Sequence, residues 1–270
     1  MNTILITGCS SGIGKETAML FARKGWNVAA GIRDILKKNS LPEYPNLRYY
    51  HIDVTDRASV EAGVAAAVKD FGSIDVLINN AGVYTTKPLE SCTPEEIDTV
   101  IGTNVTGTIR MIREVLPHFR KQGHGTVVNV SSIAGRTTFP FQTVYHGTKW
   151  AIEGISESLA YELKHLNIRV KIVEPGMVKT SIYDSTLGMD TGGFPEEYGK
   201  HFMKWYRFLE RNIRKGYHPA RDALTIYKAA TGGNGRLRYI TDFTTRILLL
   251  MRSVLPFPAF RRMISAVTGV

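Results

Sequence analysis

The chain has 270 residues and a formal net charge of +10, but residues 1–200 carry 21 Lys+Arg and 21 Asp+Glu. Residues 201–270 carry 13 Lys+Arg and 3 Asp+Glu, so the whole excess belongs to the end of the chain, which speaks against nucleic-acid wrapping by the main body. A hydrophobic content of 43% is enough for a full core and excludes a disordered chain.

Ile4-Leu5-Ile6 reads as a buried strand that ends in glycines, and Ile13, Thr17, Leu20 and Phe21 then repeat at helical spacing over 13–24. Val28-Ala29-Ala30 predicts a second strand, Leu47 to Ile52 a third, residues 57–71 a helix and Ile74 to Asn79 a fourth strand. A helical stretch over about 95–121 precedes a fifth strand from Thr126 to Val130. A helix over about 145–165 leads to a sixth, Ile168 to Val173. After Pro175 the rhythm breaks. Residues 177–217, rich in Gly, Met and aromatics, read as a lid inserted before a helix over 222–230 and a seventh strand over 236–241. Continuous apolar strands alternating with helices predict an α/β fold, a doubly wound parallel sheet of about seven strands flanked by helices. No linker or repeat divides 1–270, so one domain is expected, followed by a basic tail over about 243–270.

Strand one runs into Thr7-Gly8-Cys9-Ser10-Ser11-Gly12-Ile13-Gly14 and then a helix. Glycines there let the backbone turn tightly and approach a pyrophosphate, and the helix N-terminus offers free N–H groups and positive dipole. Asn79-Asn80-Ala81-Gly82 follows strand four, and Tyr145 and Lys149 stand four apart later. With the Gly-x3-Gly-x-Gly spacing, these signals resemble the short-chain dehydrogenase/reductase family, closely over 1–180 and more weakly beyond 241. The resemblance implies a Rossmann-like fold that binds a nicotinamide dinucleotide. It implies that Gly8, Ser10, Ser11, Gly12, Ile13 and Gly14 hold the phosphates, that Asp53 and Val54 meet the adenine, and that Asn80, Ala81 and Gly82 line the cofactor.

The end of strand two bears on the choice between dinucleotides. An acidic residue there bonds the ribose 2′-hydroxyl of NAD. Here Ile32 takes that position and Arg33 the next, where a guanidinium matches a 2′-phosphate bidentately. NADP(H) is therefore expected over NAD(H), although Asp34 could neutralise Arg33, and Ser11 stands where the family's second basic marker would be.

Tyr145 and Lys149 point from one helix face. A free tyrosine, with pKa ~10, is a poor base at neutral pH, and a neighbouring ammonium is expected to lower that value. Tyr145 would then exchange a proton with a carbonyl or alcohol oxygen. By family resemblance, Lys149 also holds the nicotinamide ribose, and Ser132, thirteen residues before Tyr145, holds the substrate oxygen; Ser131 is the adjacent alternative. Asn104 resembles the family asparagine that kinks its helix and anchors a water in the relay to Lys149. Pro175, Gly176, Val178 and Thr180 resemble the turn that meets the carboxamide and pyrophosphate. His146 is left out, since its neighbour position faces elsewhere. The remaining histidines show no metal spacing, and Cys9 reads as a small buried residue.

The lid holds Met177, Ile182, Tyr183, Leu187, Met189, Phe194, Tyr198, Phe202, Met203, Trp205, Tyr206 and Phe208. These side chains either cover a lipophilic substrate or pack the lid onto the domain. In the tail, Ile247 to Met251 with Arg246, Arg252, Arg261 and Arg262 suits a membrane surface or a packing role. Pro256 and Pro258 should break it. The family implies a homodimer or homotetramer. Cys9 and Cys92 are the only cysteines and Met1 to Ile6 shows no secretory pattern, so a reducing, cytoplasmic setting is expected, with membrane association open. Together these features describe an NADP(H)-dependent oxidoreductase acting on a lipophilic carbonyl or alcohol. The alternatives are an NAD-dependent dehydrogenase or a non-catalytic dinucleotide-binding redox sensor; nucleic-acid binding has only charge behind it.

Overall fold

The apolar runs all enter one sheet. The computed structural model describes residues 1–184, 194–233 and 235–270. Its strands are β1 (Thr3–Ile6), β2 (Asn27–Ile32), β3 (Leu47–His51), β4 (Val76–Asn79), β5 (Gly125–Val130), β6 (Ile168–Glu174) and β7 (Arg238–Ile240). All neighbours pair in parallel in the order β3-β2-β1-β4-β5-β6-β7. Side chains divide between the faces with a period of two. Ile4, Ile6, Val28, Ala30, Val76 and Ile78 pack under α1 (Gly12–Arg23) and α7 (Ala220–Thr231), against Phe21 and Ile226. Leu5, Ala29, Leu77, Val127 and Val170 pack on the other face. There they meet Val64 of α2 (Arg57–Phe71) and Met111 and Phe119 of α4 (Gly107–Gln122). Strand order reverses between β1 and β4, and such a switch opens a crevice at the carboxyl ends of the strands.

The helix expected over 95–121 is interrupted. A capping box of Thr93 and Glu96 starts α3 (Pro94–Ile101), a π-helical turn occupies Gly102–Thr106, and α4 follows. In α5 (Thr143–Glu162) the expected start moves back by two residues. The lid contributes α6 (Glu196–Lys215). Phe202, Trp205, Leu209 and Ile213 form one helical stripe and are fully buried against Tyr84, Phe139, Phe141 and Tyr145. The Trp205 indole donates to Thr86 Oγ1 at 2.9 Å. These side chains therefore fasten the lid to the domain, as the packing reading had it. Leu187 and Met189 lie outside the described residues. The tail forms α8 (Phe243–Val254), capped by Asp242, and α9 (Phe257–Thr268), with Pro256 immediately before α9 and Pro258 in its first turn.

Candidate active site

The glycine turn sits at the switch point. Gly8 (φ +71°) and Gly12 (φ +54°) adopt left-handed backbone that disfavours side chains. A Cβ on Gly14 would lie 2.2 Å from the Gly8 carbonyl oxygen and 2.5 Å from Asn80 Nδ2. Asn80 locks the turn to the loop after β4. Its Nδ2 donates to the carbonyls of Thr7 (2.9 Å) and Gly8 (3.1 Å), while the N–H groups of Asn80 and Ala81 both donate to Thr7 Oγ1 at 3.0 Å. Ser11 precedes α1 without capping it and pairs its hydroxyl with Ser181 instead, at 2.8 Å. The first amides of α1 thus have no side-chain cap, and the turn brings backbone where a Cβ would stand. That donor set fits a phosphate anion. The Cys9 thiol is buried and donates to the Ile6 carbonyl. Desolvation pushes its pKa far up, which leaves no reactive thiolate.

A cavity of about 540 Å³ crosses the carboxyl ends of the strands. Arg33 after β2 and Asp53 and Val54 after β3 line it beside Gly8, Ser10, Ser11, Gly12 and Ile13. Asn80, Ala81 and Gly82 continue the wall after β4, and Ser131, Ser132, Tyr145 and Lys149 after β5. Pro175, Gly176, Val178 and Thr180 lie across from them after β6. Of the residues expected at the site, Gly14 and Asn104 do not line the cavity; they sit behind Gly8 and Val83. Tyr84, Thr103 and Asp184 line it without having been anticipated. Tyr84 packs edge-on against Tyr145 (4.8 Å between centroids) and Tyr183 (5.0 Å). Its only sequence signal is its place two residues after Gly82.

Arg33 is exposed at the rim, whereas Ile32 is buried. Asp34 does not neutralise it, because its carboxylate accepts from the Leu36 N–H and caps a short 3-10 turn. Asp53 accepts instead from the N–H and hydroxyl of Thr55, and those bonds, with the nearby charges of Arg33 and His51, hold its carboxyl low against burial. Among the described residues no carboxylate forms an ion pair with Arg33.

Tyr145, Lys149 and Ser132 are all nearly buried. Burial pushes the Tyr145 phenol up to about 12, while a hydrogen bond with Ser132 pulls the other way. This reverses the expected lowering. Lys149 is itself pushed down to about 8 by desolvation, and its Nζ donates to the Val130 carbonyl (3.0 Å) at 5.8 Å from the Tyr145 ring centre. Desolvation therefore sets the direction of both shifts. The Ser132 hydroxyl accepts from the Ala134 N–H. Asn104, within the π-helical turn, donates to the Val83 carbonyl (2.9 Å) and Thr148 Oγ1 (3.1 Å) and accepts from the Val83 N–H (2.8 Å). His146 bonds the Ala134 carbonyl and the Phe139 N–H through its two ring nitrogens, so it points away from the cavity.

Behind Lys149 lies a buried charge cluster that spacing alone did not flag. Glu153, one helical turn on from Lys149, pairs with Arg238 (3.0 Å); Glu174 pairs with Arg136 and Arg238, each at 3.3 Å. Burial pushes both carboxyls up, Glu174 to about 7. The charge of Glu153 opposes the desolvation of Lys149. The Lys149 ammonium is present below about pH 8 and lost as pH rises through it. In Glu153→Gln that loss should begin at lower pH. A pH profile of kcat/KM measures it, and the declining limb should move to lower pH than in wild type.

The family model for short chain dehydrogenases matches residues 2–189. A 3-ketodihydrosphingosine reductase from Bacteroides thetaiotaomicron is 35% identical over 235 residues, covering 87% of this chain and 86% of that protein. Retinol dehydrogenase 8 from Bos taurus is 38% identical over 269 residues, covering 94% and 86%. A solved structure of ElxO with NADP bound superposes with a TM-score of 0.74 at 30% identity, over 89% of this chain and 97% of that one. The chain belongs to the short-chain dehydrogenase/reductase family of nucleotide-binding oxidoreductases.

Proposed function

We propose that the protein is an NADP(H)-dependent oxidoreductase that interconverts a carbonyl and a secondary or primary alcohol on a lipophilic substrate. The observation that carries this reading is one continuous cavity joining the glycine turn and Arg33 to Ser132, Tyr145 and Lys149. When bound, the dinucleotide supplies or accepts the hydride. Tyr145 is protonated at neutral pH and donates its proton to the carbonyl oxygen. Ser132 donates a hydrogen bond to the same oxygen and takes up its developing charge. The Lys149 ammonium stabilises the phenolate that remains. Asn104 holds the loop after β4 to α5 through Val83 and Thr148, which keeps Tyr145 and Lys149 facing the cavity. In alcohol oxidation the proton runs the other way. That direction needs a phenolate, which burial opposes near neutrality.

Arg33, with no paired carboxylate among the described residues, supports NADP(H); solved structures of similar fold hold NADP, NAD or NADH, so the preference rests on Arg33. A charge-assisted hydrogen bond contributes about 1.5–3 kcal/mol. Arg33→Ala should therefore raise KM for NADPH by about 10- to 100-fold and leave KM for NADH unchanged in steady-state assays. Tyr84, Ile182 and Tyr183 give the substrate end an apolar wall, and two relatives carry a ketosphingoid base and retinol in their names. NADPH oxidation over ketones of graded size tests this part: bulky lipophilic ketones should turn over faster than small polar ones, and the reverse order refutes it. A homodimer or homotetramer remains part of the proposal. Exposed Ile101, Ile109 and Trp150 on α3–α5 support it, and light scattering checks it.

A further inference from the structure

On α8, Phe243, Ile247, Leu250, Met251 and Val254 fall at i, i+4, i+7, i+8 and i+11, a single stripe of a 3.6-residue helix. The stripe faces solvent: Phe243 and Val254 each keep 71% of their surface and Leu250 62%, and exposed Phe257 extends it at the start of α9. The packing face of α8 is a different one, marked by buried Thr245 and Leu249. The stripe is therefore surplus to the core, and contiguous exposed apolar surface of this kind marks a contact site.

Charge selects the occupant. Residues 243–270 contain Arg246, Arg252, Arg261 and Arg262 and no Asp or Glu. Arg252 stacks over Phe257 (5.7 Å) and Phe260 (5.5 Å), while Arg246, Arg261 and Arg262 form no ion pair among the described residues. A second copy docking through a two-fold axis would set this patch against itself, arginine facing arginine with no carboxylate from residues 243–270 between. An anionic bilayer offers the missing pair of properties, an apolar interior under a layer of negative charge. No helix among the described residues is long and apolar enough to cross a membrane, so the contact would lie in the plane of the interface.

We propose that the exposed stripe of α8, with Phe257 and the neighbouring arginines, is a peripheral docking surface for an anionic lipid bilayer. Through α9, which packs against both α8 and α6, docking would bring the lid side of the cavity toward the lipid. The proposal stands apart from the reaction, because its readout is binding.

The test is co-sedimentation of the full chain with phosphatidylcholine vesicles, with and without phosphatidylserine, at low and high salt. Wild type should pellet with the phosphatidylserine vesicles and be released by salt. The charge-neutral triple variant Ile247→Ser, Leu250→Ser, Val254→Ser should bind them at least about tenfold more weakly, since it removes three aliphatic side chains from the contact. Its melting temperature should match wild type, because the stripe is exposed. Failure of wild type to pellet overturns the proposal. So does a folded triple variant that pellets equally well, which would reduce the effect to net charge. A wild-type oligomer that the triple variant dissociates, with vesicles capturing neither, would also overturn it and assign the stripe to a second copy.

Discussion

Tyr145→Phe is expected to lower kcat for carbonyl reduction by about 10³-fold, within the range a positioned proton donor supplies, while NADPH binding stays within about twofold of wild type. The substitution removes one oxygen and keeps the ring that packs edge-on against Tyr84. It therefore separates proton transfer from packing. The phenol is held protonated by burial and bonded to Ser132. Steady-state turnover on one ketone, with a fluorescence titration of NADPH on the same variant, measures both halves. Full turnover by the variant would remove Tyr145 from the chemistry.

Gly14→Ala is expected to weaken NADPH binding by about 100-fold, the scale of effect that a ~1 Å displacement of binding groups produces. Its Cβ would meet the Gly8 carbonyl at 2.2 Å, and that carbonyl cannot retreat freely. It accepts from Asn80 Nδ2, and Asn80 makes two further hydrogen bonds to Thr7 while the neighbouring Ala81 N–H makes a third. Opening the turn to relieve the clash moves the first amides of α1 away from the anion they would hold. A titration with NADPH and a thermal melt of the same sample distinguish lost binding from a lost fold. Wild-type affinity in the alanine variant would mean that the turn does not set the phosphate position.

The sheet was legible because its strands are buried on both faces and so appear as uninterrupted apolar runs, as in Ile4-Leu5-Ile6. The glycine turn was legible because the chemistry needs residues without Cβ at fixed places. The break at Gly102–Thr106 left no mark in the apolar period; only the resemblance at Asn104 predicts a kink there, and Asn104 reaches Val83, 21 residues away in sequence. The acidity of Tyr145 went the opposite way from expectation for a similar reason: spacing reveals the ammonium at Lys149, whereas the burial that outweighs it comes from α6 and the loop after β4. Composition also left the lid's aromatics open between two roles. Packing decided it for Phe202 and Trp205, which α6 buries against Tyr84, Phe139, Phe141 and Tyr145, while Ile182 and Tyr183 line the cavity. Nothing in the spacing marked Glu153, which meets Arg238 of β7 only in the fold.

The proposed NADPH-dependent carbonyl reductase rests on Arg33 and the Tyr145 end of one cavity. Its direct measurement is kcat/KM for a bulky lipophilic ketone with NADPH and with NADH at pH 7. Turnover with NADPH should be at least about tenfold above NADH, the least that one charged phosphate contact contributes. Equal or better turnover with NADH, or no turnover of any ketone with either dinucleotide, would contradict it.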